Sequence, residues 1–569
     1  MLDASCGRRP PGGSAPTDQP SPATHSTVLQ STDHASSPAL WGEVFPASVW
    51  RRVLDERTVT VAVDTPGTTL RGARGGHEAR LAPIPEGGRT LTAAELAQEW
   101  LWVEGGEGTA TWSIQESLDL PPVTVVMPTF RREDDAITQI RRFLEMDTVT
   151  KVIVVDQGGT LEAHAAFTAL RARHPELQLV SQPNLGGSGG YARGMLEAGT
   201  DPGAAILLSD DDAVLSAESL RRMLTYQALA ARPTIIGTPL FSSHRPTHLI
   251  AHAETVRTGA FQWTKADRVR GAMDLDGTSP SDWGFLSPRG QANYTGWWGT
   301  LLPPGTVSEL GLPAPLFLKW DDAEYGLRAT AHGYDHAVLP GTAVHHPPWT
   351  AYRTQMSWTA RVLHRNRLAI AAAYDAGPGV IASSLLHQLK HILAGHLLTA
   401  ELWESGVEAT IAGPEEWMGT DLPHARRDSA EVLEQWRSEH QAPLRTAATH
   451  EAPLPLAMAL TRATARMILP DAPSRIVLAV HADEVHWRTT LGGDTVLIVD
   501  DEGTPENAFV VRGSAMRRAL ARTLRSHVEL ARSWRSLHER YRDALPQHTT
   551  VESWSRLFTA AADDAIERT

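Results

Sequence analysis

Four short apolar runs, at residues 123–127, 152–155, 177–180 and 205–208, alternate with helical patterns. Their starts lie about 25 to 30 residues apart, the length of a strand, a crossover helix and a return. Parallel strands need such crossovers, so this rhythm restricts the middle of the chain to a mainly parallel sheet with helices packed on it. Open sheets of this kind bind ligands outside the carboxyl ends of their strands, which directs attention to the loop after each run. The rhythm fills only part of 569 residues, and a chain of that length is expected to divide into two to four domains.

Residues 1–37 are rich in Pro, Gly, Ser and Thr with few large apolar side chains, and read as a disordered leader. Residues 38–120 carry β-rich runs at 58–63 and 109–114, separated by glycine segments at 72–76 and 105–108, and read as a β-sandwich accessory domain. The α/β repeat occupies residues 121–375. From 376 to 569 the pattern turns to amphipathic stretches at 381–401, 429–439, 454–468 and 515–545, which predict a mainly helical C-terminal domain. A strand pair is expected at 476–480 and 495–499, with Gly492 and Gly493 near a turn. The most apolar late segment, 379–398, is broken by His387, Gln388, Lys390, His391 and His396, so it reads as a buried or interfacial helix rather than a membrane span. Amphipathic periodicity leaves three uses open for these helices: packing on the sheet, homo-oligomer contact, or peripheral contact with a membrane.

A formal net charge of -14 opposes a phosphate-backbone partner, because clustered Lys and Arg supply most nucleic-acid affinity. No nucleic-acid partner is expected. The single cysteine, Cys6, excludes an intrachain disulfide and a multi-thiolate metal site. With no signal-peptide pattern at the N-terminus, the expected location is cytoplasmic, with peripheral placement at the inner face of the cell membrane left open.

The run 205–208 leads directly into Ser209, Asp210, Asp211 and Asp212. In an extended segment Asp210 and Asp212 point the same way, and hard oxygen ligands suit Mn²⁺ or Mg²⁺ bridging a diphosphate. The same residues also fit a solvated turn before a helix capped by Ser216. Three other loops aim at that edge: Pro128, Thr129 and Phe130; Asp156, Gln157 and Gly158; and Pro183 to Gly187. The glycines of Gly186-Gly187-Ser188-Gly189-Gly190 lack a dinucleotide fingerprint and read as a place of close backbone approach to a nucleotide, or as a plain flexible loop.

A second cluster, NYTGWWGT at 293–300 and FLKWDDAEYG at 317–326, mixes indole faces with carboxylates. Sugar C–H faces pack on Trp, and an acceptor hydroxyl needs a carboxylate within hydrogen-bond reach to act as a nucleophile. The alternative is that Trp297 and Trp298 are core residues and that Asp321, Asp322 and Glu324 open a solvated helix. Eighteen Trp against eight Tyr and ten Phe is a balance that core filling alone does not select. A third element, VHHPPW at 344–349, offers an imidazole that can complete a metal site begun by the aspartates.

The run VTVVMPTFRR at 123–132, the Asp156 loop, the Asn184 loop and Asp210 to Asp212 resemble the GT-A fold of family 2 glycosyltransferases. With the second and third elements, and with FPASVWRR at 45–52 before a β-rich domain, the chain resembles the galactan-polymerising galactofuranosyltransferases from about residue 41 onward. The resemblance implies that Pro128, Thr129, Phe130, Arg132, Asp156 and Asn184 contact the nucleotide, with Asp211 facing ribose or phosphate. It implies Asp210, Asp212 and His346 as ligands of Mn²⁺ or Mg²⁺, Asp322 as general base, Asp321 as an acceptor-orienting group, and Trp297 and Trp298 as acceptor-site walls. Glu254 and Trp263 fall at donor-pocket positions. The doublet departs from the family's single histidine, so His345 stands beside His346 as a candidate. The implied donor is UDP-galactofuranose and the implied acceptor a lipid-linked cell-wall galactan, with inversion at the anomeric carbon. Two rivals remain: a family 2 transferase using another nucleotide sugar, since nucleotide and metal motifs do not encode the sugar, and a non-catalytic carbohydrate-binding scaffold.

Overall fold

The computed structural model describes residues 26–34, 40–106, 108–265, 273–286, 292–348, 356–420 and 422–567. Near the N-terminus, Ala110–Ile114 pairs antiparallel with both Thr27–Ser31 and Val59–Val63, and Arg89–Thr90 extends that sheet. In a second antiparallel sheet, Thr69–Arg74 lies between His77–Pro83 and Trp100–Glu104. Side chains alternate across each strand, and Leu29, Val61 and Trp112 of the first sheet share one core with Leu70 and Leu101 of the second. Thr27–Ser31 falls inside the stretch read as a leader, and that reading is corrected there: Leu29 is buried and the Gln30 amide donates to the Val44 carbonyl at 2.7 Å. Residues 1–25 and 35–37 of the expected leader lie outside the described residues.

The central sheet has seven strands, in the order Leu177–Ser181, Val149–Asp156, Val123–Thr129, Ala205–Leu208, Thr300–Leu302, Thr234–Gly237, Asp335–Val338. Thr300–Leu302 runs antiparallel to both neighbours, and the other strands share one direction. The mainly parallel sheet expected from the strand rhythm is therefore present. Burial on both faces explains why its strands read as unbroken apolar runs. Val123, Val125 and Val152 face one core, while Val126, Ile153 and Leu208 face another.

A smaller five-stranded sheet places Val344–His346 between Val214–Leu215 and Leu240–Ser242. The register Val214↔His345 and Leu215↔Val344 carries the histidine strand against the segment that follows Asp212.

The C-terminal region is mainly helical, as expected, and differs in detail. The stretch expected as one helix at 381–401 is two, Gly379–Ala394 and Leu397–Ala412, because Gly395 takes a left-handed conformation (φ 78) that caps the first. The expected strand pair is present as Val477–His481 and Thr495–Val499, which run parallel, and Pro505–Val510 adds a third, antiparallel strand. Between the first two, Gly492 passes so close to the helix Leu456–Ile468 that a Cβ would meet the Ala459 Cα at 2.8 Å. Among the described residues no helix is long and apolar enough to cross a membrane.

Of the three uses left open for the C-terminal helices, packing on the sheet is realised. The last helix, Val551–Glu567, returns to the α/β region, where Trp554, Leu557 and Phe558 join the core of Val126 and Ile206. The Trp554 indole donates to the Pro313 carbonyl at 2.8 Å, and its side chain is 1% exposed. Truncation there empties a core shared by the sheet and the last helix. Trp554→Ala is expected to destabilise the whole chain by about 3–5 kcal/mol, read as a lowered denaturant midpoint of the α/β region as well as of the helices.

Candidate active site

A cavity of about 1100 Å³ opens at the carboxyl edge of the central sheet, two residues beyond the strand Ala205–Leu208. Asp210, Glu254, Trp297, Trp298, Asp321 and Asp322 all line it. The cluster at 293–300 and the cluster at 317–326 are thus brought to the same space as the aspartate segment.

Asp210, Asp212 and His346 each offer one ligand atom, and these atoms lie within 4.8 Å of one another. Two carboxylate oxygens and one imidazole nitrogen suit a hard or borderline divalent cation. The second layer fits that use. His346 engages the Pro347 carbonyl through Nδ1 and turns Nε2 toward Asp212 Oδ1 at 3.1 Å, while Tyr191 donates its hydroxyl to Asp210 Oδ1 at 2.8 Å. His345 lies on the opposite side of its strand, 5.8 Å from the Phe241 ring, because successive side chains alternate. The geometry selects His346 from the doublet.

Burial raises the Asp210 carboxyl above its ordinary value, and it raises Asp211 to about 6 against the opposing pull of Thr129 and Arg132. At Asp212 burial acts the same way but is outweighed by His346 and Arg132, so this carboxylate stays ionised below the usual range. Thr129 donates to Asp211 Oδ2 at 2.6 Å, and the Arg132 guanidinium spans Asp211 and Asp212. The other nucleotide-side candidates are more self-contained. Asp156 is fully buried and accepts the amides of Gly158, Gly159 and Leu161 at 2.9, 2.9 and 2.8 Å, while Asn184 Oδ1 accepts the Gly186 amide at 2.9 Å. Pro128 and Phe130 are half-buried on the same edge.

The glycine run is helical: Gly186–Ala198 begins with it. A Cβ at Gly186 would meet the Phe317 carbonyl oxygen at 2.0 Å, and one at Gly190 would meet the Pro128 Cβ at 2.6 Å. This helix thus approaches the sheet and the loop that carries the Asp321–Asp322 pair, and Gly187 of the run lines the cavity.

That loop holds three non-glycine residues at positive φ, Phe317 (φ 70), Lys319 (φ 67) and Trp320 (φ 72). Such conformations cost on the order of 1–3 kcal/mol each and persist only where the surroundings enforce them. Asn366 supplies the enforcement. Fully buried on the helix Thr359–Ala373, its amide reaches the carbonyls of Leu316, Leu318 and Lys319 at 3.1, 2.9 and 2.9 Å. The loop then feeds Asp321 and Asp322 into the first turn of the helix Asp321–Ala331, whose N-terminal dipole favours their charge. Burial works more strongly in the other direction and holds both carboxyls above the ordinary range, with Asp322 opposing ionisation of Asp321, Asp210 opposing that of Asp322, and Lys319 favouring both.

The indoles have distinct surroundings. Trp297 is 6% exposed and meets Tyr191 and Tyr325 edge-on at 4.9 and 5.8 Å, while the Trp298 indole donates to the Thr238 carbonyl at 3.2 Å. Glu254 accepts the Tyr294 hydroxyl at 2.7 Å, and burial lifts its carboxyl to about 7. Trp263, 49% exposed, stands on the strand Gln262–Lys265 paired with Glu254–Arg257 at the rim. Sequence reasoning missed Tyr191, Lys319 and Asn366. Only Asn366 left a trace, as a polar residue opening the run RLAIAAA at 367–373.

The mainly parallel sheet carries an aspartate triplet at its carboxyl edge, facing a second aspartate pair across a cavity, and the family model described as "Glycosyltransferase like family 2" matches residues 121–371. Two curated relatives extend the likeness over nearly the whole chain. Galactofuranosyltransferase GlfT2 of Mycolicibacterium smegmatis is 30% identical across 93% of this chain and 90% of its own length, and galactofuranosyltransferase GlfT2 of Mycobacterium tuberculosis is 31% identical across 93% and 91%. The chain belongs to the galactofuranosyltransferases of that family. Among solved structures, a mannosyltransferase from Pyrobaculum calidifontis in complex with GDP-Man and Mn²⁺ aligns with a TM-score of 0.32 at 15% identity, covering 62% of this chain and 81% of that one.

Asn366→Ala removes the donor to the Leu318 and Lys319 carbonyls, while the Leu316 carbonyl keeps Arg365 Nη2 at 3.1 Å, and releases the strained turn. The expected loss is about 1–3 kcal/mol of stability, with turnover reduced more than UDP affinity; equal retention of both would show that the loop holds itself.

Proposed function

We propose that this protein transfers galactofuranose from UDP-galactofuranose to the end of a lipid-linked cell-wall galactan, with inversion at the anomeric carbon. The observation that supports this reading most directly is that Asp322 shares one cavity with Asp210 and with the indoles of Trp297 and Trp298. In this reading Asp210, Asp212 and His346 hold Mn²⁺ or Mg²⁺, which when bound neutralises the diphosphate leaving group. Arg132, Thr129 and Asp211 form a linked set that positions ribose or phosphate, with Pro128, Phe130, Asp156 and Asn184 shaping the nucleotide pocket. Glu254 and Trp263 border the donor sugar.

Asp322 is the base that takes the proton from the acceptor hydroxyl as that oxygen attacks the anomeric carbon opposite the departing UDP. Asp321 orients the acceptor, and Trp297 and Trp298 wall its apolar faces. A single displacement inverts configuration.

The direct test incubates the protein with UDP-galactofuranose, Mn²⁺ and a galactofuranosyl disaccharide and resolves products by mass and by anomeric configuration. Successive β-linked additions are expected, and Asp322→Asn should lower kcat by about 10²–10⁴ while UDP binding persists. Transfer of a different sugar in place of galactofuranose, or retained configuration, would reject the reading.

The pH profile carries a separate expectation. Because burial raises the Asp321–Asp322 pair and a base must be deprotonated to act, activity should climb with pH through an acid limb well above the ~4 of an exposed carboxylate. The measurement is kcat/KM for the acceptor at saturating donor; an inflection near 4 would contradict a desolvated base.

A further inference from the structure

The polar residues that interrupt the apolar segment 379–398 have no part in the site described above. His387, Lys390 and His391 line a second cavity, of about 220 Å³, together with Trp403, His486 and Trp487. Leu363 lines both cavities. The segment between the first two strands of the C-terminal sheet also spans both, with His481, Asp483 and Glu484 on the large cavity and His486 and Trp487 on the small one.

Hydrogen bonds set what His391 and His486 offer. His387 Nδ1 faces both the Ser383 carbonyl at 2.9 Å, which can only accept, and the Gln262 amide nitrogen at 3.2 Å, which can only donate, so these contacts select neither of its tautomers. Thr490 donates its hydroxyl proton to the Ala394 carbonyl at 3.0 Å and so accepts from His396 Nε2 at 2.7 Å. His396 Nδ1 is then an acceptor, and His391 Nδ1 donates to it at 3.4 Å, leaving His391 Nε2 an acceptor too. His486 is reversed: its Nδ1 accepts the Arg488 amide at 3.3 Å, so Nε2 carries the proton. Burial holds His387 and His391 below their ordinary values, which keeps both neutral.

The cavity is therefore lined by an acceptor, from His391, by two donors, from Lys390 and His486, and by the His387 imidazole, between indole walls. An anion requires donors throughout, and the His391 lone pair opposes it. A glycosyl unit matches the mixture, because each hydroxyl both donates and accepts and the ring carries apolar C–H faces. The volume equals that of about seven waters at ~30 Å³ each, room for one hexosyl unit and less than a drug-sized ligand occupies.

We propose that this cavity is a secondary carbohydrate subsite, which holds one sugar of the acceptor chain behind the reactive end as the chain passes Leu363. The inference rests on reading the large cavity as a site of transfer to a glycan. It makes the C-terminal region a determinant of acceptor length.

The test uses the full chain with Trp487→Ala and, separately, Lys390→Met, and compares a β-galactofuranosyl disaccharide with a hexasaccharide. Each variant should raise KM for the hexasaccharide about tenfold and leave the disaccharide KM, kcat and UDP affinity unchanged. Equal effects on both acceptors, or none on either, would overturn the subsite. Calorimetric titration of the hexasaccharide into Asp322→Asn protein, with and without Lys390→Met, reads binding without turnover. Weakening by Lys390→Met supports the subsite; unchanged affinity, or displacement of the sugar by inorganic pyrophosphate in the absence of metal, overturns it. If the unmodified protein transfers no galactofuranose, the functional reading fails by itself, and the calorimetric comparison still decides the subsite.

Discussion

Four carboxyl groups, from Asp210, Glu254, Asp321 and Asp322, share the walls of one cavity, and all are pushed toward neutrality by burial. Like charges in a low dielectric repel by several kcal/mol, so such a cluster lasts only with compensation built around it. The structure supplies several kinds. Tyr191 and Tyr294 donate hydroxyls to Asp210 and Glu254, Arg132 bridges Asp211 and Asp212, and Lys319 favours the charged forms of the aspartate pair. A divalent cation at Asp210, Asp212 and His346 would relieve the remaining repulsion on the sheet side.

The two halves of that cluster come from distant parts of the chain, and backbone strain joins them. Phe317, Lys319 and Trp320 sit at positive φ so that the chain can turn from Leu316 into the helix bearing Asp321 and Asp322. Gly186 admits the Phe317 carbonyl at a distance no side chain would permit, and Gly326 does the same for Tyr294, whose Cβ a substituent there would meet at 2.3 Å. Asn366 then ties the turn to the helix Thr359–Ala373. The strain is concentrated at the reacting edge and balanced by buried hydrogen bonds that lie outside the cavity.

The sheet was legible in the sequence because buried parallel strands announce themselves as apolar runs at a regular spacing. The aspartate triplet was legible for a related reason, since its position after Ala205–Leu208 places it at the carboxyl edge. Other features left weaker marks. Thr27–Ser31 is short and flanked by polar residues, so composition hid a strand that acquires its stability from Ala110–Ile114. The break at Gly395 lay inside an apolar segment whose periodicity continues on either side. Tyr191 and Lys319 were invisible because their importance comes from what faces them across the fold, and nothing in local spacing records a contact with Asp210 or Asp322.

The C-terminal region is joined to the central sheet at two places, and together these argue against a detachable appendage. Trp554 fills a core on one face of the sheet, and the segment after Val477–His481 forms part of the cavity rim. Inter-domain contacts in many chains are polar and leave the domains free to move. Here one contact is a closed apolar core, so relative motion would expose Trp554. His481, Asp483 and Glu484 line the same cavity as Asp322, so whatever reaches the aspartate pair meets a wall whose chemistry belongs in part to the C-terminal sheet.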